Sequence, residues 1–480
     1  MSALDSFRAR LDGLLAEKAA EHGVPGAACG LLLGGETHVS TWGVANVNTG
    51  VPVTPATLFQ IGSITKVYTA TLIMQAVSAG VIALDEPVRA QLQEFMVADP
   101  AATIEITPRH LLAHTSGIEG DHLIDTGWNA DALSRYVATL AGLGQIHPTD
   151  QAYSFCNTGY GVLGRLLEVV TGEHFDRVLR RRLTRPLGCR TTLTLPQHAL
   201  LHSVAVGHLQ TRGGEPTRQP RWVLTRSNGP MGGIMAAPGD LLAFAGMHLA
   251  EGRAPDGVDL LAPAAVEAML VPQVESPVPG ELQAIGWTLR HWGDLTCFGQ
   301  DADTFGQRAV LRIVPERDLA VCVMVNSQTG AAVAQAVLEG VATDLLDVPG
   351  AALDIAGRFA PTEGETSTAE DRSSAAMAPD LAAYAGVYER LHQRVVVTAG
   401  EDVLTLTTEP SGVLGALEVR PIVLDATPVL DAPDGGTEGR LVVEGIDPTS
   451  GLREVGVFTP ASGAQNACVH LSGRLHRRTG

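Results

Sequence analysis

Residues 58–70 read Leu58-Phe59-Gln60-Ile61-Gly62-Ser63-Ile64-Thr65-Lys66-Val67-Tyr68-Thr69-Ala70. A glycine precedes a hydroxyl, an amine follows three residues after that hydroxyl, and an apolar helical run continues to near Gly80. On a helix this spacing puts Ser63 and Lys66 on one face of the first turn. Ile64, Val67, Ala70, Leu72, Ile73, Met74 and Val77 leave the helix apolar nearly all round, as expected of a buried central helix. A serine hydroxyl needs a neighbouring base to become a useful nucleophile. A lysine can serve as that base when burial and the positive end of a helix disfavour its ammonium form. Of 33 lysines plus arginines, only Lys18 and Lys66 are lysines. Arginine stays protonated and cannot act as a base, so Lys66 marks a place where the arginine bias is not followed.

The rest of the composition bounds the setting. A chain of 480 residues with 45% apolar content can build a large core, either as two or three domains or as one large domain and a small one. A net charge of −19 argues against nucleic acid or an anionic membrane surface as partner. Cys29, Cys156, Cys189, Cys297, Cys322 and Cys468 are scattered without a Cys-x-x-Cys pair or zinc-like spacing, which points to reduced buried thiols in a cytoplasmic setting. Residues from Ala3 to His22 form an amphipathic helix pattern rather than a signal peptide, and no stretch reaches the ~18 apolar residues of a membrane span. A soluble, unexported protein without cofactor or metal is expected.

Around the helix at Ser63 the chain divides further. Ala27–Leu33 and Thr37–Val44, joined at Gly34-Gly35, form a hairpin signal. From Asp85 to Arg221 the pattern is mainly short helices and loops, including Ala130–Ala141 and Thr158–Val170. After a helix from Pro238 to Ala250 come strand-like runs at Ala284–His291, Leu295–Phe298, Arg308–Val314 and Leu319–Val325, then a helix at Ala331–Leu346. The expectation is an α/β (α+β) domain over 1–347, in which helices flank an antiparallel sheet and a helical subdomain is inserted. Residues 348–379 turn to Ala, Glu, Ser, Thr and Pro and read as a linker. Over 380–480, short β runs at Val395–Thr398, Val403–Thr407, Leu441–Val443 and Val455–Phe458 suggest a small barrel or sandwich.

Three smaller patterns are read as structural. Gly159-Tyr160-Gly161-Val162-Leu163-Gly164 fits G-x-G-x-x-G, but no βαβ series surrounds it, so helix packing is expected. His110 and His114 lie at i and i+4 without the glutamate of the zinc motif. Asp301 and Asp303 are expected in an exposed turn rather than at a metal.

Phe59-Gln60-Ile61-Gly62-Ser63-Ile64-Thr65-Lys66, with Ile106-Thr107-Pro108-Arg109-His110-Leu111-Leu112-Ala113-His114-Thr115-Ser116-Gly117-Ile118, resembles the serine β-lactamase and penicillin-binding-protein superfamily, in its branch of class C-like esterases, D-aminopeptidases and acyltransferases. Asn157-Thr158-Gly159-Tyr160, Pro186-Leu187-Gly188, Gly232-Gly233, Ile285-Gly286-Trp287 and Val314-Pro315-Glu316-Arg317-Asp318 follow in the family's order, and the likeness spans residues 20–345. Leu381-Ala382-Ala383-Tyr384-Ala385-Gly386-Val387-Tyr388 and Gly473-Arg474-Leu475-His476-Arg477-Arg478 are similar to the lipocalin-like domain appended to some D-aminopeptidases and peptide-cyclising thioesterases. The domain's role is structural, or that of a lid or substrate-end clamp drawing on Arg440, Arg453 or Arg474.

The resemblance implies that Ser63 attacks an acyl carbonyl and Lys66 takes its proton. The N–H groups of Ser63 and of the strand near Asp303 would hold the oxyanion. Asn157 matches the second-motif asparagine, expected to hydrogen-bond the lysine and a substrate amide. Two motifs depart from the pattern. Where the family writes Tyr-x-Asn the chain has Phe155-Cys156-Asn157, so the phenol is missing from its usual place. Tyr153 is the candidate replacement, and Tyr160 stands where the family has a packing tyrosine. Counting back from Val314-Pro315-Glu316, the family's His-Gly-Gly or Lys-Thr-Gly falls on Gln300-Asp301-Ala302, an amide and an acid instead of a cation. That argues against substrates whose carboxylate the cation receives, while Gln300 can still hydrogen-bond an amide or ester.

Three readings follow. The first is a serine hydrolase, an esterase, amidase or D-aminopeptidase acting on a small-molecule or peptide acyl substrate. The second is an acyltransferase or macrocyclising thioesterase of a secondary-metabolite pathway, whose acyl donor includes one bound to a carrier protein. The third is a catalytically silent member that binds a ligand in the old cleft.

Overall fold

The computed structural model describes residues 3–209, 214–278, 280–348, 381–411, 422–428, 441–446, 453–459 and 467–479. The expected linker over 348–379 lies, apart from Val348, outside them, as does Arg440. The chain forms two compact units, the first made of Met1–Ser276 with Gly280–Asp354.

That unit is built on an eight-stranded antiparallel sheet of β1 (Gly26–Leu33), β2 (Glu36–Gly43), β3 (Val274–Glu275), β4 (Leu282–Gln283), β5 (Thr288–Trp292), β6 (Leu295–Thr304), β7 (Gln307–Val314) and β8 (Leu319–Val325). The spatial order is β2-β1-β8-β7-β6-β5-β4-β3. Gly34 and Gly35 at φ +58° and +80° supply the left-handed pair that a tight two-residue hairpin turn between β1 and β2 requires. Every residue of β7 and β8 is buried, as in strands covered on both faces. Helix α1 (Ala3–Glu21) lies with α5 (Ala331–Leu346) against one side of the sheet. Helices α2 (Thr65–Ser78), α3 (Asn157–Thr171) and α4 (Pro238–Leu249) build the rest, with α4 on β1 and β8, where Leu242 fills the space beside Gly30.

The three glycines of the G-x-G-x-x-G pattern let α3 approach its neighbours. A Cβ would stand 3.2 Å from Leu111 at Gly159, 2.5 Å from the Tyr136 ring at Gly161 and 2.1 Å from Pro230 at Gly164. His110 and His114 do not share a helical face. The helix that carries His110 ends at Leu112, and His114 takes φ +62° beyond it.

Two strand boundaries differ from expectation. β5 begins at Thr288 rather than Ala284, because Gly286 at φ +79° interrupts the run. β6 continues past Phe298 to Thr304, so Asp301 and Asp303 lie in a strand and not in an exposed turn. Their poor strand propensity is offset by cross-strand pairs. Asp303 faces Arg308 directly and accepts two hydrogen bonds of 2.7 Å from it. Asp301 accepts from Arg312 at 2.5 and 3.1 Å and from Arg290 at 3.5 Å, and Arg290 in turn donates to Glu281 at 2.7 Å.

The extra length of β6 creates an open edge. Leu295 opposes Trp292 and Thr304 opposes Gln307, each across a two-residue turn, so the odd-numbered residues of β6 direct their backbone groups away from β7. Beyond Gly299 no strand pairs that edge among the described residues, and the N–H groups of Asp301 and Asp303 point off the sheet. Asp301 N–H donates to Gln300 Oε1 at 3.2 Å. Gly62 lies against the Asp303 end, at φ +44°, where a Cβ would stand 2.8 Å from Thr304 Cγ2 and 3.1 Å from Ala302 Cβ.

The second unit contains a closed barrel of β9 (Gly386–Arg390), β10 (Gln393–Ala399), β11 (Leu404–Pro410), β12 (Ile422–Pro428), β13 (Leu441–Ile446), β14 (Arg453–Thr459), β15 (Cys468–Leu471) and β16 (Arg474–Arg478). The last strand pairs with the first at Tyr388 and Arg478. Tyr388, Val395, Leu406, Val443, Phe458 and Val469 fill its interior. Among the described residues no helix is long and apolar enough to cross a membrane, and all six cysteines are free thiols, five of them buried.

Two predictions follow from this packing. His248 on α4 is packed edge-on to Phe244 and Trp287 and shares a 3.3 Å hydrogen bond with Thr71, and burial pushes its imidazole down to about 3. The unfolded chain, titrating near 6.5, binds the extra proton below that value, so stability is lost as pH falls from about 6.5 toward 3. His248→Gln is expected to lose about 2 kcal/mol less than the parent between pH 8 and pH 4.5 in urea unfolding. An unchanged difference contradicts the assignment. Gly62→Ala, which adds backbone strain and a clash, should cost about 1–3 kcal/mol, read as a lowered Tm. Thr304→Ser in the same chain removes the clashing methyl and should restore part of the loss, and an unaltered Tm in Gly62→Ala refutes the packing argument.

Candidate active site

Ser63 sits in a single 3₁₀ turn, Gly62–Ile64, that runs directly into α2. The chain reaches that turn along a short pairing of Phe59–Gln60 with Met235–Ala236, and Gln307 Oε1 accepts from Gln60 N–H at 3.1 Å. The segment 230–234 is laced to α2. Thr65 Oγ1 accepts from Ile234 N–H at 3.1 Å, Thr69 Oγ1 donates to Pro230 O at 2.7 Å, and Lys66 Nζ donates to Met231 O at 2.7 Å.

Lys66 is fully buried and Ser63 half-buried, and Lys66 Nζ lies 3.1 Å from Ser63 Oγ. The i, i+3 spacing read in the sequence therefore becomes a hydrogen bond. The Phe155 ring lies 4.6 Å from Nζ and the Tyr160 ring 5.6 Å, both presenting faces that favour a cation. Phe155 thus occupies the expected neighbourhood of the lysine but contributes a ring without a hydroxyl.

The tyrosines separate by environment. Tyr160 is buried, its hydroxyl donates to Leu112 O at 3.0 Å, and burial pushes its phenol well up. It is a packing residue. Tyr153 is 8% exposed, and its ring stands edge-on to His114 at 5.7 Å. His114 also touches the rings of Phe155 at 4.7 Å and Tyr160 at 5.4 Å, so Tyr153 belongs to the aromatic group around Lys66. Cys156 N–H donates to His114 Nδ1 at 2.9 Å, which leaves the ring proton on Nε2. Cys156 caps α3 by accepting Gly159 N–H at 3.3 Å; burial pushes its thiol up to about 11, opposed in part by that N–H and by the Lys66 charge.

Asn157 opens α3, half-buried. Among the described residues its one side-chain hydrogen bond runs from Nδ2 to Asp121 Oδ1 at 2.7 Å, and the expected bond to Lys66 is not made there. Asp121 is 4% exposed. No spacing in the sequence signals this contact, since 36 residues separate Asp121 from Asn157. Gln300 is buried on β6, and its Nε2 donates to Gly286 O at 3.4 Å. No cation stands at positions 300–302, and the two nearby guanidiniums, Arg290 and Arg312, are both engaged by Asp301. Asp303 brings its backbone to the Gly62 side of β6, with its carboxylate held by Arg308.

A buried amine on a hydroxyl, beside an open strand edge, is an arrangement suited to activating an oxygen nucleophile next to backbone donors. The chain matches known proteins. It is 42% identical over 312 residues to penicillin-binding protein 4 of Amycolatopsis lactamdurans, covering 64% of this chain and 82% of that one. It is 27% identical over 212 residues to a D-aminopeptidase of Gluconobacter oxydans, covering 42% of this chain and 39% of that protein. The crystal structure of SurE with D-Leu superposes with a TM-score of 0.74 at 28% identity, over 99% of this chain and 100% of that one. The family model described as Beta-lactamase matches residues 11–343, which hold the eight-stranded sheet and the Ser63 turn, and the chain belongs to the beta-lactamase family.

Proposed function

We propose that this protein is a serine acyl-transfer enzyme that works through an acyl-enzyme on Ser63 and hydrolyses an ester or amide of an amino acid or peptide, in the manner of an esterase, amidase or D-aminopeptidase. The 3.1 Å hydrogen bond between the buried Lys66 Nζ and Ser63 Oγ carries this reading. Ser63 Oγ attacks the acyl carbonyl as its proton passes to Lys66 Nζ, which acts as the neutral amine. The oxyanion is received by the N–H groups of Ser63 and Asp303. Lys66 then gives the proton to the leaving group, and water releases the acyl group. Phe155 offers no proton at the phenol position, so Tyr153 is the hydroxyl proposed to assist. Gln300, an amide where the family carries a cation, favours uncharged ester and amide groups over a carboxylate. The D-aminopeptidase of Gluconobacter oxydans supports the substrate class.

A second reading, in which an amine or alcohol outcompetes water at the same acyl-enzyme, draws on the match to SurE. That match runs the length of the chain, and its structure holds D-Leu. Acyl donors presented by a carrier protein belong to this reading.

Intact-mass spectrometry after a fluorophosphonate and p-nitrophenyl acyl esters tests the proposal. One adduct is expected, lost in Ser63→Ala and formed about 10²- to 10⁴-fold more slowly in Lys66→Ala. Tyr153→Phe is expected to slow turnover about 10²-fold with the adduct still formed. No adduct on the parent protein favours the silent-cleft reading. Products formed with added D-amino acid amides, measured against free acid, decide between hydrolysis and transfer.

A further inference from the structure

Asn157 differs from the other polar residues near Ser63 in having one amide end fixed and the other open. The loop carrying Asp121 is stitched to the first turn of α3. Thr158 N–H donates to Gly120 O at 2.9 Å, His122 N–H to Thr158 Oγ1 at 3.3 Å, and Thr158 Oγ1 to Glu119 O at 2.7 Å. This holds the Asp121 carboxylate beside the N-terminal end of α3. An ionised carboxylate only accepts hydrogen bonds, so the Asn157 amide must turn its nitrogen to Asp121. The carbonyl oxygen then faces the other way. Asn157 makes no second side-chain hydrogen bond among the described residues, and it is half-buried, so this oxygen remains open to an incoming group. An amide free to flip could meet either a donor or an acceptor, whereas this one presents an acceptor with a negative charge behind it.

Resting on the hydrolase reading above, we propose that the Asp121–Asn157 pair receives a nitrogen-borne hydrogen of the acyl group, the α-ammonium of an amino acid or peptide. The ammonium donates to Asn157 Oδ1. The amide, polarised by donating to Asp121, passes part of the carboxylate's charge to that oxygen. Asn157 contacts the substrate and Asp121 is a positioning residue that fixes which end of the amide does so. Substrates whose amine is acylated offer a neutral, weaker donor and more bulk at the same place.

The test uses the full chain and two p-nitrophenyl esters, of D-phenylalanine with a free amine and of N-acetyl-D-phenylalanine. The parent protein is expected to favour the free amine by about 10- to 100-fold in kcat/KM. Asp121→Asn, nearly isosteric, should lose most of that preference, through a fall with the free amine and a change under about threefold with the acetylated ester. A structural role for Asp121 alone would lower both esters together, and that result overturns the proposal. Equal kcat/KM for the two esters on the parent protein, with Ser63 acylated by both, also overturns it, whether or not the variant folds. If neither ester acylates Ser63, the hydrolase reading falls and this proposal falls with it.

Discussion

Burial of one amine organises this molecule. Taking an ammonium-sized group out of water costs several kcal/mol unless polar partners surround it. At Lys66 those surroundings come from distant parts of the chain: a hydroxyl three residues earlier, the Met231 carbonyl, and the faces of Phe155 and Tyr160. Segment 230–234 is drawn along α2 for this reason, held also by Thr65 and Thr69. The glycines of α3 belong to the same constraint. Gly161 and Gly164 let that helix close onto Met231 and Pro230, which fixes the carbonyl that the lysine meets.

Much of this architecture is legible in the sequence where periodicity is strong. Leu319–Val325 and Ala331–Leu346 coincide with their structural elements because one is uninterruptedly apolar and the other keeps a helical stripe. The Ser63–Lys66 hydrogen bond follows from a local spacing. β6 beyond Phe298 could not be read, since Gln300, Asp301 and Asp303 are poor strand formers and the guanidiniums that hold the two aspartates there lie on the neighbouring strands. Asp121 was hidden for a related reason: its partner is fixed by a loop laid on a helix end, a contact that depends on the assembled fold. In the barrel, the expected runs at Val395–Thr398, Val403–Thr407, Leu441–Val443 and Val455–Phe458 fall on strands, while the strands Ile422–Pro428 and Cys468–Leu471 carry no expected run.

The missing phenol and the missing cation have different structural meanings. At position 155 a ring is retained against the lysine and only the hydroxyl is absent. At positions 300–302 the change reaches deeper. Gln300 is tied to Gly286 and to the Asp301 amide, and the Asp301 side chain turns into the sheet to meet two arginines. One substitution leaves the local frame intact, while the other is woven into it.

The Glu281–Arg290–Asp301–Arg312 network also bears on how the protein can change over evolutionary time. Its two acids and two guanidiniums are almost completely buried, and removing one partner of such a set strands a charge at a cost of about 3–5 kcal/mol. A lineage that restored the family's third motif would replace Asp301 and leave Arg290 and Arg312 short of their shared partner. The path back requires compensating changes on β5 and β7 before the new motif is tolerated. The buried network thus acts as a ratchet at this position, where a single substitution is resisted by the charges it would strand.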